Sequence, residues 1–494
     1  MSQEIGDVRH LAVAGMGRSG TAAARLALRE LPGVTIDVVD AKPEDELGGA
    51  PAELRAAGAR VLLGEAARLP DGVDLLVKSP GVPTSSPVVA AALERGLPIW
   101  SEIELAARFL TNRWIAITGT NGKTTTTELT GHILRSAGGP VEVAGNVGRA
   151  LATLPGAIDP EAVVVAELSS FQLEHIERFR PDVAVLLNLT EDHIDRHGTY
   201  GGYVDAKLRI FENQASADLA LVNFDDAGIA ALAGELPGQA RRGGFSRVVA
   251  MAAETPAVGD AAPEGAAPAG ASGPQRGGTL LAGLAGDALW LRTATGLERL
   301  CALDELALKG DHNVENSLAA AAAAAAVGVA PADIAVALRT FPGVAHRLQV
   351  VGASGGVTWV NDSKATNVDA ALKALTAYSG PVHLILGGSL KGASFDPLAA
   401  GTEGRVKEAI LIGAAAAPLA EAFARRRAAV GERATPYVVL PDLEAAVAHA
   451  AAVAEPGDVV LLSPACASFD HYRNFEHRGE HFSELVEALV EPAS

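Results

Sequence analysis

The sharpest chemical signal in the chain is a short glycine-containing loop, GTNGKT, at residues 119 to 124. Its glycines free backbone N–H groups for phosphate oxygens, Lys123 brings a positive charge, and Thr124 can place its hydroxyl on magnesium. The loop follows a predicted strand, WIAIT, and precedes a helix-compatible run, TTTTELTGHILRSAG. Ile117 stands where the full motif has its first glycine, so GTNGKT is a shortened form of the P-loop. The predicted strand and helix on either side favour this interpretation over a surface turn.

A second glycine loop, GMGRSG, spans residues 15 to 20 between a predicted strand and a predicted helix. Asp40 closes the next predicted strand, as in dinucleotide-binding proteins. The pattern alone is weak for NAD, because any nucleotide diphosphate can use glycine backbone and a helix N-terminus. A tight turn without a ligand is the alternative.

Acidic and histidine side chains follow two further predicted strands. Glu167 ends a strand in VVVAELSS, where a carboxylate needs a cation, and the next strand leads into NLTEDHIDRHG. That segment contributes Asp192, His193, Asp195 and His197. Parallel sheets bind ligands at the carboxyl ends of their strands, so these residues suggest a magnesium or ATP site. The His193–His197 spacing could suit zinc, but no HExxH pattern accompanies it.

An α/β fold must position these groups, because strand-like runs alternate with helical stretches throughout the chain. We predict three domains: a Rossmann-like domain at 1–107, a central P-loop ATPase-type domain with a mostly parallel sheet at 108–339, and a Rossmann-like domain at 340–494. Residues 251–278 consist largely of Ala, Gly and Pro and predict a flexible surface insertion.

Composition narrows the class of protein. The 494 residues carry a formal net charge of -19, which argues against a large nucleic-acid interface. The first residues lack the pattern of a secretory signal, and no long apolar run predicts a membrane span. The two cysteines, Cys301 and Cys466, are too few for a disulfide framework. We expect a cytoplasmic monomer that acts on small molecules.

Taken together, the motifs resemble the Mur ligase family over almost the whole chain. GTNGKT, ELSSFQLE, NLTEDHIDRHG, AKLRIF, GDHNVENSLAA, FPGVAHRL and NDSKATN occur in that family's order. The tail SPACASFDHYRNFEHRG, the GMGRSG loop and the SPG at 79–81 are most similar to the D-glutamate-adding branch. The insertion is the main departure from the family pattern.

The resemblance implies a set of site residues. For the UDP-linked substrate these are Gly17, Arg18, Ser19, Asp40, Ser79, Gly81 and Asn146. For ATP they are Gly119, Thr120, Asn121, Gly122, Lys123, Thr124, Thr125, Asn313, Asn316, Arg347 and Asp362. For D-glutamate they are Thr366, Lys391, Ser468 and Phe475. For Mg²⁺, expected as two ions, they are Thr124, Glu167, His193 and Lys207, with Lys207 carbamylated. The implied catalytic residues are Lys123, His193, Lys207 and Lys391.

The implied reaction is the ATP-dependent joining of D-glutamate to UDP-N-acetylmuramoyl-L-alanine in peptidoglycan precursor synthesis, through an acyl phosphate. One alternative is an NAD-dependent oxidoreductase, which leaves GTNGKT and Glu167 unexplained. A catalytically silent relative would be expected to lose Lys123, Glu167 or Lys207, and all three are present. The remaining alternatives are a Mur ligase with another amino-acid specificity and a folate polyglutamate ligase, which would lack the first domain.

Overall fold

The computed structural model describes residues 5–232, 234–250, 279–308, 310–378, 380–390 and 394–490. The predicted insertion at 251–278 and the predicted site residue Lys391 lie outside these ranges. The chain divides into two compact units, the first ending at Phe341 and the second beginning at Pro342. The described residues form three sheets, one within each predicted domain, and the fold is α/β as predicted. The exact domain boundaries stay a prediction.

The first sheet has five parallel strands in the order β3-β2-β1-β4-β5, which is the order of a Rossmann-like half. Its strands are β1 (His10–Ala14), β2 (Thr35–Asp40), β3 (Arg60–Leu63), β4 (Leu75–Lys78) and β5 (Ile99–Ser101). The helices around it are α1 (Arg18–Glu30), α2 (Ala50–Ala56), α3 (Pro87–Glu94) and α4 (Glu102–Ala107).

The second sheet has nine strands in the order β14-β13-β12-β11-β10-β9-β6-β8-β7. Its strands are β6 (Trp114–Thr118), β7 (Val141–Gly145), β8 (Val163–Glu167), β9 (Val183–Leu186), β10 (Leu219–Asn223), β11 (Arg241–Ala250), β12 (Thr279–Ala285), β13 (Ala288–Thr293) and β14 (Gly296–Ala302). Its helices are α5 (Lys123–Ser136), α6 (Ser170–Leu173), α7 (Ile194–His197), α8 (Tyr200–Leu208), α9 (Ala227–Leu232), α10 (Asp311–Ala326) and α11 (Pro331–Thr340). The strands are parallel except that β13 pairs antiparallel with both β12 and β14.

One hydrophobic cluster holds the first two sheets together. It runs from Leu26 and Trp100 of the first sheet's layer into Leu151, Trp114 and Phe179 of the second, and all five side chains are buried. The rings of Trp114 and Phe179 meet edge to face at 5.3 Å, a favoured aromatic geometry. Because the two sheets share this core, residues up to Phe341 form a single compact unit.

A carboxyl group with one hydrogen-bond partner is buried beside this core. Glu102 begins α4 and is 1% exposed. Its Oε1 accepts the N–H of Ala152 at 2.6 Å, while its Oε2 has no partner among the residues that the structure describes. Burial raises the pKa of Glu102 from 4.5 to about 7, and the Ala152 N–H and the charge of Arg18 offset only part of this rise.

We therefore expect Glu102→Gln to stabilise the protein at pH 8. A carboxyl group whose pKa is higher in the folded state stabilises the fold below pH 4.5, and this stability is lost as the pH rises to about 7. The loss is on the order of 3 kcal/mol. Glutamine keeps an acceptor for Ala152 and carries no charge. Urea unfolding at pH 5 and pH 8 should show a clear gain in the free energy of unfolding only at pH 8.

The exposed Glu44, which pairs with Arg55 at the surface, provides the control for that measurement. Glu44→Gln should not raise the free energy of unfolding at either pH, because its carboxylate is solvated. An equal gain for Glu102→Gln at both pH values would contradict the role of its charge.

The second unit contains a six-stranded sheet in the order β15-β16-β20-β17-β18-β19, parallel except for the pair β15 and β16. Its strands are β15 (Gln349–Ser354), β16 (Val357–Asn361), β17 (Val382–Gly387), β18 (Val406–Ile412), β19 (Tyr437–Val439) and β20 (Val459–Leu462). Its helices are α12 (Val368–Leu375), α13 (Asp396–Gly401), α14 (Ala416–Val430), α15 (Leu443–Val453) and α16 (Phe475–Val490). Two apolar clusters, one around Phe423 and one around Trp359 and Phe482, give this unit its own cores.

Two chain-wide features complete the fold. Both cysteines, Cys301 and Cys466, are buried and lie outside any disulfide bond. Among the helices that the structure describes, none has both the length and the apolar character needed to cross a lipid bilayer.

Candidate active site

The GTNGKT loop connects β6 to α5, as predicted. Gly119 has a φ of 153° and Gly122 a φ of 81°, backbone conformations that residues with a Cβ rarely adopt. The Oδ1 of Asn188 accepts the N–H groups of Thr120 and Asn121 at 3.1 and 2.7 Å. The first half of the loop is therefore fixed by a side chain that follows the neighbouring strand β9.

The N-terminal turns of α10 pack against this loop. Asn316 is 5% exposed, its Oδ1 accepts the hydroxyl of Thr126 at 3.2 Å, and its Nδ2 donates to Asn313. A Cβ added to Gly122 would come within 2.4 Å of the Asn316 Oδ1, so only glycine fits there. The structure thus brings the predicted ATP-binding residues of the loop together with Asn313 and Asn316.

Two lysines converge on the same carbonyl group of the loop. The Nζ of Lys123 donates to the Gly119 oxygen at 2.9 Å, and the Nζ of Lys207 donates to the same oxygen at 2.8 Å. Lys207 lies in α8, is 2% exposed, and stands 4.7 Å from the centre of the Tyr203 ring. Burial first, and then the charge of Lys123, lower the pKa of Lys207 to about 7. A substantial fraction of this amine is therefore uncharged near neutral pH.

Glu167 closes β8 beside this loop and is 1% exposed. Its Oε1 accepts the side-chain amide of Asn146 at 2.7 Å, and its Oε2 has no hydrogen-bond partner among the described residues. A buried carboxylate oxygen without a partner destabilises the folded protein unless a cation binds to it. The predicted metal ligand therefore has one oxygen available for a cation.

The segment with His193 and His197 adopts two different environments. His193 has a φ of 52°, precedes α7, and its side chain is 48% exposed. The side chain of His197 is 4% exposed, stacks on Phe171 and bonds to the hydroxyl of Ser170 at 2.9 Å, so it has a packing role. In the part of the chain that the structure describes, no three His, Cys, Asp or Glu side chains are grouped closely enough to hold a metal. Thr124, 7% exposed in the first turn of α5, is the remaining predicted ligand.

The first glycine loop leads into α1, with Gly17 at the N-cap and Arg18 and Ser19 in the first turn. The Oδ2 of Asp40 accepts the Met16 N–H at 2.6 Å, so this carboxylate supports the loop. Arg18 donates to the carbonyl groups of Gly148 and Asn146 at 2.9 and 3.4 Å.

Ser79 and Gly81 follow β4 beside this loop. The hydroxyl of Ser79 lies 3.5 Å from the Gly15 carbonyl oxygen, to which it donates. A Cβ at Gly20 would lie 1.9 Å from the same oxygen, so the helix can approach the loop this closely only with glycine. The predicted UDP-substrate residues therefore cluster where the first sheet faces the loop that follows β7 and contains Asn146.

The other predicted site residues belong to the second unit. Asp362 follows β16 and accepts the Ser463 hydroxyl at 2.7 Å, and burial raises its pKa to about 6. Arg347 lies between two residues with positive φ, His346 at 59° and Leu348 at 46°. The predicted ATP-binding residues are thus divided between the two units.

The predicted D-glutamate residues lie on loops of the second unit. Thr366 and Ser468 are on loops that follow β16 and β20, and Phe475 begins α16. The Ser363 hydroxyl donates to the Phe475 carbonyl at 2.8 Å, which joins the first of these loops to α16. The segment after β17 pairs with the segment before Ser468, because the Ser389 N–H donates to the Ala467 carbonyl at 2.7 Å.

Sequence reasoning missed two residues that support the P-loop. Asn188 fixes two of its N–H groups, and the hydroxyl of Tyr203 bonds to the Thr120 hydroxyl at 2.9 Å. The position of Asn188 directly after a predicted strand was the available signal. Tyr203 carried no such signal, because an aromatic residue in a helix usually indicates core packing.

Comparisons with known proteins show which family the chain is similar to. The Mur ligase middle domain matches residues 117–251, and the Mur ligase glutamate ligase domain matches residues 346–466. A UDP-N-acetylmuramoylalanine--D-glutamate ligase of Pelotomaculum thermopropionicum is 41% identical over 97% of both chains. A protein of the same name from Myxococcus xanthus is 43% identical over 97% of this chain and 98% of its own.

Solved structures show the same fold at low sequence identity. A UDP-N-acetylmuramoyl-L-alanyl-D-glutamate--2,6-diaminopimelate ligase superimposes with a TM-score of 0.53 at 17% identity over 94% of each chain. A UDP-N-acetylmuramate-alanine ligase of Thermotoga maritima gives 0.51 at 18% identity over 97% of this chain and 99% of its own. At this identity the structures support the three-domain fold alone. The domain matches and the full-length relatives place the chain in a family: it belongs to the Mur ligase family.

Proposed function

We propose that the protein joins D-glutamate to UDP-N-acetylmuramoyl-L-alanine with the hydrolysis of ATP to ADP and phosphate, a step of peptidoglycan precursor synthesis in the cytoplasm. One observation supports this choice of substrates. Two relatives, 41% and 43% identical over 97% of this chain, are both named UDP-N-acetylmuramoylalanine--D-glutamate ligase. The geometry of the P-loop, with Lys123 and Lys207 at one carbonyl, supports the phosphoryl-transfer step.

A carboxylate cannot be attacked directly by an amine, because an oxide would have to leave. In the proposed mechanism the alanine carboxylate of the substrate first attacks the γ-phosphorus of ATP, which forms an acyl phosphate and releases ADP. Like charges oppose this approach by about 4 kcal/mol for one unit pair at 4 Å and a dielectric of 20. Left uncompensated, this repulsion slows transfer roughly a thousandfold. The proposed counter-charges are Lys123 in the loop and Arg347 in the second unit.

The residues present fit a magnesium site. The free Oε2 of Glu167 and the Thr124 hydroxyl are hard oxygen donors, and Mg²⁺ usually takes one or two protein oxygens and fills its shell with phosphates and water. His193 and carbamylated Lys207 are the further proposed ligands, for two ions. When bound, the metal would neutralise phosphate charge during transfer.

Lys207 is proposed to be carbamylated. Its ammonium first loses a proton, the uncharged amine attacks CO2 to form the N–C bond as one C=O π bond opens, and a second proton leaves, so a cation becomes an anion. In the structure the Lys207 and Lys123 ammonium groups donate to one oxygen, an arrangement of like charges. A negatively charged carbamate on Lys207 would attract the Lys123 ammonium instead of repelling it. It would also add an oxygen donor beside Glu167. A lysine with a pKa near 7 is suited to this reaction.

In the second step the amine of D-glutamate attacks the acyl phosphate, the amide bond forms, and phosphate leaves. Thr366, Ser468, Phe475 and Lys391 are proposed to hold the amino acid, with Lys391 outside the described residues. A dicarboxylate needs hydrogen-bond donors for both carboxylates, and a hydroxyl on the β16 loop and another on the β20 loop meet part of that need.

Phosphate release with ATP, magnesium and UDP-N-acetylmuramoyl-L-alanine, assayed against a panel of D- and L-amino acids, tests the proposal. Release that depends on D-glutamate and stops when magnesium is chelated is the expected result. Release with a different amino acid would overturn the substrate assignment within the family. No release with any amino acid would favour a catalytically silent relative.

Asn188→Ala should raise the KM for ATP roughly tenfold to thirtyfold. The substitution removes both bonds between the Asn188 amide and Asn121, one to its N–H and one to its carbonyl, while the Thr120 N–H keeps the backbone carbonyl of residue 188 as an acceptor. Each lost bond costs about 1 kcal/mol of the stability of the ordered loop. The KM for D-glutamate should stay unchanged, because that site is proposed on the second unit. Asn213→Ala removes a side-chain bond to the Phe179 carbonyl, far from the loop in sequence, and is the control. Equal KM values for ATP in both variants would contradict the role of Asn188.

A further inference from the structure

One fully buried arginine joins the ends of three strands in the second unit. Arg478 lies in α16 and is 1% exposed. Its Nε donates to the Ser363 hydroxyl and its Nη2 to the Ser363 carbonyl, both at 2.9 Å. Nη2 also donates to the Cys466 carbonyl at 3.1 Å, and Nη1 donates to the carbonyls of Gly387 and Ala467 at 3.3 Å. The guanidinium therefore contacts the loops after β16, β17 and β20.

The loops after β16 and β20 carry two residues of the proposed amino-acid site, Thr366 and Ser468. Ser363 follows Asp362 and leads to Thr366, while Cys466 and Ala467 directly precede Ser468. The Ser363 hydroxyl also donates to the carbonyl of Phe475. Gly387 ends β17. A single side chain therefore contacts the backbone three residues before Thr366 and directly before Ser468.

The arrangement is costly, which argues for a role beyond filling space. No ion pair of the described residues includes Arg478, so its buried charge is compensated by four carbonyl groups, the Ser363 hydroxyl and the more distant charge of Asp470. Burial lowers the pKa of Arg478 to about 10, and the group still stays charged at neutral pH. A hydrophobic side chain in this place would avoid that cost.

Only the planar fork of an arginine suits these acceptors. Its donors point in fixed directions to four carbonyl groups and one hydroxyl, whereas a lysine offers three donors from one nitrogen. The surroundings leave little room for adjustment: a Cβ at Gly388 would lie 2.0 Å from the Ala467 oxygen and 2.9 Å from the Arg478 Nη1. The strand ends are packed around the guanidinium.

We propose that Arg478 is the positioning residue of the amino-acid site, because its guanidinium sets the spacing of the ends of β16, β17 and β20 and thereby of the loops that carry Thr366 and Ser468. This inference rests on the proposed function. Arg478 acts through Ser363, Gly387, Cys466 and Ala467 and does not touch the substrate itself. Asp362 is held separately by Ser463 and Leu348, so the effect falls on the amino acid rather than on ATP.

The test compares Arg478→Lys with Phe482→Leu in the full-length protein. Phe482 is a fully buried residue of the same helix, and its ring lies 6.3 Å from the ring of Trp359 in β16. Thermal melts establish how far each variant is destabilised. Arg478→Lys should raise the KM for D-glutamate about tenfold and leave the KM values for ATP and UDP-N-acetylmuramoyl-L-alanine within about twofold. Phe482→Leu should leave all three KM values within about twofold at a similar loss of Tm.

Two outcomes would overturn the inference: an unchanged KM for D-glutamate in Arg478→Lys, or an equal rise in all three KM values. If Arg478→Lys does not fold, Ser363→Ala keeps the arginine and removes one acceptor, and it should raise the KM for D-glutamate about threefold. An unchanged KM there would also overturn it. If the unmodified protein ligates another amino acid instead, the proposed substrate fails, and the KM for that amino acid tests Arg478 in the same way.

Discussion

Replacing Lys123 by alanine should lower kcat about a thousandfold in a protein that still folds. The Nζ of Lys123 lies at the carbonyl oxygens of Gly119 and Thr120, 2.9 and 2.8 Å away, and so brings its charge to the loop that should receive the terminal phosphates. Without that charge, the approach of the substrate carboxylate to the γ-phosphate meets about 4 kcal/mol of repulsion per unit pair. That energy corresponds to roughly a thousandfold in rate.

Initial rates of phosphate release at saturating substrates measure this effect, and circular dichroism melts report the folding of the variant. Lys42 provides the control, because it is an exposed lysine in a surface pair with Glu46. Lys42→Ala should keep the full rate, since surface pairs contribute little. A Lys123→Ala protein that keeps a tenth or more of kcat would show that the charge is not used in the transfer.

Lys207→Ala should lose at least a hundredfold in kcat and recover part of it when acetate or formate is added. The carbamate is the proposed active form, and a small carboxylate can occupy the space that the shortened side chain leaves beside the loop. Lys207→Arg should be equally inactive and should not respond to acetate, because the guanidinium fills that space with a positive charge. Rates with and without the added anions provide the measurement.

The same group predicts a pH and CO2 dependence for the unmodified protein. Only the uncharged amine reacts with CO2, and the pKa of Lys207 is about 7, so the carbamate and the activity should fall as the pH drops below 7. Preparation in CO2-free buffer should lower activity, and added bicarbonate should restore it. Native mass spectrometry should find one added CO2 per active chain. Full activity without that added mass would rule out carbamylation.

Local patterns were sufficient to predict the alternation of strands and helices. The predicted strand WIAIT is β6, and GTNGKT connects it to α5, because strand hydrophobicity, glycine and helix-forming residues are neighbours in the sequence. The antiparallel additions, β13 with its neighbours and β15 with β16, were not predicted. Their pairing depends on the edges of sheets that only the folded chain defines.

Contacts between distant segments were beyond the reach of sequence patterns. Arg18 donates to carbonyl groups 128 and 130 residues away, and Asn188 holds a loop 67 residues earlier. Lys207 is the clearest case, since a lysine in a helix is usually solvated. The family resemblance singled it out, and only the structure shows that it is buried against the Gly119 carbonyl.

The core shared by the first two sheets has a consequence for variation in this protein. Because Trp100, Leu151 and Phe179 belong to one cluster, a substitution in the first sheet weakens the packing that also supports the P-loop. Such a change would reduce the number of active molecules in a cell, through unfolding and degradation, while each surviving molecule keeps its rate. The second unit has its own cores, so amino-acid preference can drift there without this penalty on the ATP loop.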